Sequence, residues 1–441
     1  MSALKLIADQ PGAHLKKLRI HPSRASERLH LSVALFLILF TSGVTIPIPG
    51  FEGLPLWVPI AGPTLAILSV RQQTWPWVAI ATAVMAGALA THLLVSHVLL
   101  GTAFGIIPLT RSALQLVAVS VLLALIWAGL REAESLLASI VDACKIFLAI
   151  QAALTILMIA TGYKFWPGNY PHYFLPIQRV SGLLAEPSHV AVAMSVPLTL
   201  LIGFPRLSWN KFGPLYTSCA AFILIACPSA SLIWPLMGAI SILALRVSGI
   251  AAALIPAALL ALPSIGPTLA AVRHINPITE RAYDAYSMVF LGTRADTLNV
   301  SSIVLAKGVY VMNRVLNSYP LGMGIDNAYY ANLKFGPEMS YLFSHLNARD
   351  SSSILLKIGI EFGWVGLLVF VTACLICIVC VLKPSLHSQI LGGVALTLLV
   401  ANAGRGASYF DFGFLVAIAA VLALSSEFFW RRGRIPERVS R

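Results

Sequence analysis

Apolar runs about as long as a bilayer's hydrocarbon is thick recur along this chain, and no other feature constrains its fold so strongly. A helix needs about twenty apolar residues to cross, because backbone polar groups find no water in lipid and must bond within the segment. Such runs occur at 30–47, 56–70, 76–98, 112–130, 137–161, 187–204, 214–229, 231–248, 249–265, 353–382, 389–403 and 412–430. They predict an all-α polytopic membrane protein of about 12 transmembrane helices, with a large helical outer loop between the ninth and tenth. Of 441 residues, 58% are hydrophobic and only 11% charged, against about 25% charged in a soluble domain.

The charge that is present orders the helices. Formal net charge is +13, with much of it in residues 1–29 and in the tail RRGRIPERVSR. Basic flanks favour the cytoplasmic, anionic leaflet, so both termini are expected inside, which an even number of spans permits. Arg71, Arg131, Arg206 with Lys211, Arg246 and Lys383 then fall in inner turns. The division expected is a basic N-terminus 1–29, nine spans over 30–265, a large loop 266–352, three spans over 353–430 and a basic tail 431–441. Nucleic acid is not an expected partner, since the basic residues flank spans and nothing suggests base readout. Cys144, Cys219, Cys227, Cys374, Cys377 and Cys380 lie in or at the ends of apolar runs, where thiols act as small packing groups. No metal, disulfide or cofactor is expected.

Three outer loops are unusual: 162–186, rich in Tyr, Trp and Pro; the long segment 266–352; and NAGRGASYFDFG near 402–413. In the long loop, Leu298, Leu305, Val309, Met312 and Leu316 recur at near-helical spacing. SYPLGMG then stops the helix with Pro320, Gly322 and Gly324. Such a helix would rest an apolar face on the membrane or on the bundle, as a lid or substrate clamp.

Charge near span ends is costly and marks functional candidates. The stretch RVSGLLAEPSHVA holds Arg179, Glu186 and His189, and Pro187 can open a helix there. Glu186 would stand beside that helix's positive N-terminus; the structural alternative is a capping Glu and a snorkelling Arg. A second cluster, SHLNARDSSSILLKIGIEFGWVG, holds His345, Asn347, Arg349 and Asp350, with Ser351 available as an N-cap. There Gly359 and Gly363 would admit a close helix, and Glu361 is either interfacial or a paired carboxylate. Arginine forks suit a diphosphate, and a histidine or carboxylate suits deprotonation of a hydroxyl.

The order of these motifs resembles the bacterial O-antigen ligase and polymerase superfamily. RVSG at 179–182 matches its Arg-x-x-Gly element, LNSYPLGMGIDN at 316–327 its large periplasmic loop, and HLN with EFGWVG at 361–366 its His/Asn and Glu-x-Gly-x-x-Gly elements. The likeness covers roughly 170–415. Leu346 separates His345 from Asn347, where the family usually has Asn directly after the histidine. The resemblance implies an inverting, metal-independent glycosyltransferase of the inner membrane, with its site facing the periplasm. Its donor would be an undecaprenyl-diphosphate-linked glycan and its acceptor a glycan or lipid, with a chain-length regulator and a flippase as further partners. His345 would activate the acceptor hydroxyl, with Glu186 or Asp411 as alternative bases. Arg179 with Arg294 or Arg405 would bind the diphosphate, and Arg314, Asn347, Arg349 and Asp411 would complete the substrate site. AEPS at 185–188 inclines the reading toward a polymerase over a ligase passing glycan to a lipid A core. A transporter or flippase of lipid-linked sugars is the alternative from another class.

The sidedness is directly testable. In a background without native cysteines, Asn169→Cys and Asn299→Cys should both react with an impermeant thiol reagent in intact spheroplasts. Labelling only after permeabilisation would overturn the topology.

Overall fold

A computed structural model describes residues 22–431 apart from 42–44, 49–50, 56, 101–105, 133–135, 164–172, 175–176, 179, 185, 228, 249–263, 265, 273, 275–282, 284–285, 288–299, 337–350, 352, 407 and 412. The chain is a helical membrane protein. Five described helices are long and apolar enough to cross a membrane: Trp75–Ser96, Ser112–Leu130, Leu136–Thr161, Ile354–Val381 and Leu386–Gly404. Val58–Arg71, Ile233–Val247 and Phe414–Ser425 are shorter apolar helices.

In chain order the main elements are α1 (Pro22–Phe40), β1 (Thr45–Ile48), β2 (Phe51–Pro55), α2 (Val58–Arg71), α3 (Trp75–Leu100), α4 (Ile106–Glu132) and α5 (Leu136–Thr161). After them come β3 (Tyr173–Phe174), β4 (Ile177–Gln178), α6 (Pro187–Ala193), α7 (Ser195–Leu198), α8 (Pro205–Ala226), α9 (Ile233–Val247) and α10 (Gly266–Val272). The last are α11 (Val300–Ser318), α12 (Ala328–Phe335), α13 (Ile354–Val381), α14 (Leu386–Gly404) and α15 (Phe414–Arg431). Strands β1 and β2 form one antiparallel hairpin and β3 and β4 another.

Two expected elements take a different form, and a third lies almost wholly outside the described residues. The run at 30–47 does not continue as helix; α1 starts earlier, at Pro22, and the chain enters β1 at Thr45. Proline suits a first helical turn but not an interior, and TIPIPG places two prolines where the span was expected to finish. The run at 187–204 is three pieces, with α6 and α7 leading into a π-helical turn at Thr199–Gly203. Pro197 lacks the N–H that would bond back along the ladder, and the Thr199 hydroxyl donates to the Ser195 carbonyl, a contact that loosens helices. The expected ninth span, 249–265, lies outside the described residues but for Ser264.

The core gathers around α14, which packs against α9, α13 and α15. Gly393 lies against Ile242 and Phe204, and Gly238 against Thr397, where a Cβ would come within 2.9 Å of the threonine methyl. Small residues let helices approach this closely, which in lipid is a main source of packing attraction. On the other flank α1 packs on α5. There Phe40 stacks on Phe147 at 4.3 Å, and Arg28 pairs with Asp142 at 2.6 Å.

Helix α11 rests on the bundle by a face that keeps Leu316 of the expected stripe and turns Leu305 and Val309 to its edge. Its buried residues are Ile303, Val304, Lys307, Val311, Val315 and Leu316. Gly308 decides the rotation, since a Cβ there would lie 2.8 Å from Leu356 and 2.9 Å from the Ser351 carbonyl. Val311 and Val315 share a small core with Met323, Ala328, Ala331 and Ile360.

Helix α13 is broken at Gly363, whose φ of 61° and ψ of −148° are not helical. The segment Pro320–Gly324 fills the break. The Met323 and Gly324 amides donate to the Ile360 and Glu361 carbonyls at 2.9 and 2.8 Å, and the Trp364 amide donates to the Pro320 carbonyl at 2.9 Å. Gly359, expected to admit a helix, does so: Met312 of α11 lies against it. Gly363 instead admits a loop. A Cβ on Gly363 would sit 2.1 Å from the Pro320 oxygen, and one on Gly322 would sit 2.5 Å from the Glu361 carbonyl. Positive φ at a residue with a side chain costs about 1–2 kcal/mol, and overpacking typically about 1–3 more. Gly363→Ala should therefore lower the thermal midpoint of detergent-purified protein by several degrees. Gly87→Ala, at a helical site with nothing within 4 Å, should leave it within a degree; equal midpoints for the two variants would refute the account.

Candidate functional site

Two polar groups meet around the 402–413 turn, one half-exposed and one buried. The first begins at Gln151, buried in the middle of α5. Its Nε2 donates to the Ser181 carbonyl at 3.0 Å, and its Oε1 accepts from the Leu183 amide at 3.0 Å. Gly182 between them has φ of 58°, and a Cβ on it would lie 2.4 Å from Gln151 Nε2. One amide side chain thus fixes the turn that follows Arg179 and delivers the chain to Glu186.

Glu186 holds the N-cap position of α6 in an extended conformation, with Pro187 opening the helix as expected. Its carboxylate does not cap. Oε2 accepts from the Ser188 hydroxyl at 2.7 Å and faces Arg405 Nη2 at 3.5 Å. These side chains are 32% and 31% exposed respectively, enough for a ligand to reach either charge. Arg405 follows α14 in extended conformation. His189 stands one step into α6, half-buried.

The second group is deeply buried. Glu361 and Lys357 lie one turn apart on the short half of α13, with 3.9 Å between Lys357 Nζ and Glu361 Oε1 and at most 2% exposure. The Tyr409 hydroxyl, from the same turn as Arg405, donates to Glu361 Oε2 at 2.6 Å. Lys357 Nζ lies 5.2 Å from the Tyr409 ring centroid, within cation–π range. Burial first, and then the Glu361 charge beside it, push the Tyr409 phenol well above its ordinary value, so it stays a donor at neutral pH. Asp326, at φ of 65° just after the segment that fills the helix break, is buried near Glu361.

The turn itself is pinned on two further sides. The Trp57 indole donates to the Phe410 carbonyl at 3.1 Å, and the Ser353 hydroxyl donates to the Ala403 carbonyl. Ser353, rather than the expected Ser351, is the N-cap of α13, accepting from the Leu356 amide at 3.4 Å. Ser351 has φ of 52°, outside the extended geometry that caps adopt.

Of the residues expected in a site, the structure brings Glu186 and Arg405 together, with Asp411 buried in the same turn as Arg405. Arg314 is not with them; it is exposed on α11 and lies 5.3 Å from the Tyr310 ring centroid. Arg179, Arg294, His345, Asn347 and Arg349 lie outside the described residues. Glu361 is a paired carboxylate and not an interfacial one. Lys357, Tyr409 and Gln151 went unremarked in the sequence. The signal for Lys357 was present, since a Lys and a Glu four residues apart in an apolar span imply a shared burial.

Neither the known protein families nor the curated proteins contain a match to this chain. Among the described residues no group of three or more His, Cys, Asp or Glu side chains could hold a metal ion.

Gln151→Leu removes the partner of the buried Ser181 carbonyl and of the half-buried Leu183 amide, and a buried group left unpaired costs about 1–3 kcal/mol. Its thermal midpoint should fall by several degrees, while Gln151→Glu should fall less because Oε1 still accepts from Leu183. Wild-type stability in Gln151→Leu would show that the turn holds itself.

Proposed function

We propose that the protein transfers a glycosyl group at the periplasmic face of a bacterial inner membrane, from an undecaprenyl-diphosphate-linked glycan to a sugar hydroxyl. The Glu186–Arg405 contact carries this reading: it joins two of the three outer loops at an accessible, oppositely charged pair beside a helix start. A guanidinium that faces a half-exposed carboxylate oxygen there can exchange that oxygen for the oxygens of a diphosphate, which binds in bidentate fashion. In the same reading the chain crosses the membrane about twelve times with both termini inside, and loops 162–186 and 266–352 face the periplasm.

The acceptor oxygen attacks the anomeric carbon, the bond from that carbon to the diphosphate oxygen breaks, and configuration inverts. His345 takes the hydroxyl proton; Arg179 and Arg405, with Arg294, receive the charge that develops on the leaving diphosphate. Arg349 and Asn347 stand near His345 in sequence and would orient the sugar, with Asp411 at the margin; Arg314, exposed on α11, is left out of the site. Polymerisation of O-antigen or exopolysaccharide repeats is the favoured outcome, in company with a flippase and a chain-length regulator. Ligation to a lipid A core uses the same chemistry with another acceptor. The broken helix at Gly363 gives a second reading some weight, since discontinuous helices line the sites of many transporters; a flippase would move the lipid-linked sugar without making a bond.

Purified protein in vesicles with a lipid-linked repeat should yield longer lipid-linked glycans and free undecaprenyl diphosphate. Glycan appearing only on added lipid A core would indicate the ligase. Movement of donor between leaflets with no new glycosidic bond would indicate the flippase and overturn glycosyl transfer. His345→Ala should lose roughly a hundred- to ten-thousand-fold in turnover, the usual share of a general base, while still binding donor. Arg179→Lys should be nearly as defective as Arg179→Ala, because an ammonium lacks the planar fork.

A further inference from the structure

Lys357, Glu361 and Tyr409 form a buried polar group that the proposed reaction does not use. Taking charges out of water costs several kcal/mol per ion, and apolar side chains of like volume often serve stability as well or better. A purely structural contact between α13 and the 402–413 turn would be better made with apolar groups. What this one adds is direction. The Tyr409 hydroxyl meets Glu361 Oε2 at 2.6 Å, and Glu361 is itself fixed from two sides. Lys357 lies one turn before it at 3.9 Å, and the Gly324 amide holds its backbone carbonyl at 2.8 Å. Tyr409 is four residues from Arg405, whose own amide is tied to the Ala401 carbonyl at 2.8 Å. Trp57 holds the Phe410 carbonyl at 3.1 Å, so the described residues at both ends of this turn are tied to the bundle.

We propose that the Lys357–Glu361–Tyr409 group is a positioning device that aims the Arg405 guanidinium at the diphosphate of a polyprenyl-linked ligand, through the turn that Tyr409 and Arg405 share. This rests on the reading of Arg405 as a diphosphate-binding residue. Tyr409 touches no reacting atom in this account. It acts through Arg405, and the effect of removing its hydroxyl must therefore vanish when Arg405 is already gone.

Undecaprenyl diphosphate, with no sugar attached, is the probe, and its affinity for the full-length protein in detergent is the readout. Tyr409→Phe keeps the ring, its packing beside Phe362 and Phe414 and its place beneath Lys357, and loses only the hydroxyl. Its Kd should rise about tenfold, and Arg405→Ala should raise Kd by at least as much. The double variant should bind no more weakly than Arg405→Ala alone, a non-additivity that residues acting as one unit show. Glu361→Gln provides a second route to the same cycle, since a neutral amide oxygen accepts from Tyr409 more weakly than a carboxylate and no longer attracts Lys357; its Kd should also rise, by less than that of Tyr409→Phe. Wild-type affinity in Tyr409→Phe, or effects of Tyr409→Phe and Arg405→Ala that multiply, would overturn the proposal and leave the donor reading intact. No binding by the wild-type protein would overturn both. Failure of both Tyr409→Phe and Glu361→Gln to give folded protein would also overturn it, because the group would then be scaffold.

Discussion

The crossing of Gly322 and Gly363 is the contact on which the rest of the described structure depends. A helix broken inside a membrane protein exposes carbonyls and amides that lipid cannot satisfy. Here the loop Pro320–Gly324 meets that need with three backbone hydrogen bonds, and neither glycine has room for a Cβ. Because the loop sits in the break, α11 and α12 are brought against the short half of α13, and Ile360 joins their small core. Because the break turns the short half of α13 away from the long half, Lys357 and Glu361 face protein and not lipid.

From there the arrangement spreads through the turn between α14 and α15. That turn touches α13 through Ser353 and Glu361, the segment after β2 through Trp57, and the start of α6 through Arg405. Chain regions hundreds of residues apart converge on about ten residues. Groups held this way are set by several independent elements, so no single segment can shift one of them alone.

Much of the framework was legible in the sequence. The five long spans fall at the expected apolar runs, Pro187 opens its helix, and SYPLGMG ends α11 at Ser318. Composition and period suffice for such features because lipid imposes one rule on every segment. What could not be read was anything set by partners distant along the chain. The rotation of α11 depends on Gly308 meeting Ser351 and Leu356, so of its expected stripe Leu316 is buried and Met312 packs on Gly359, while Leu305 and Val309 lie at the edge of the buried face. Gly363 looked like half of a helix-packing motif, and only the incoming loop makes it a break. Glu186 and Arg405 were legible as charges near span ends, whereas their pairing required knowing that α14 ends beside α6.

The break in α13 also sets a length. A straight helix of 28 residues, at about 1.5 Å per residue, would be about 42 Å long, well beyond the roughly 30 Å of a bilayer's hydrocarbon. Dividing it at Gly363 leaves a stretch from Trp364 to Val381 that is about as long as the hydrocarbon is thick, with a surface dominated by exposed valine and leucine. Trp364, at the start of that stretch and largely exposed, is the kind of side chain that settles at a membrane boundary. The kink therefore divides one helix by character, with an apolar stretch about as long as the hydrocarbon is thick on one side of Gly363 and a short, buried, charged half on the other.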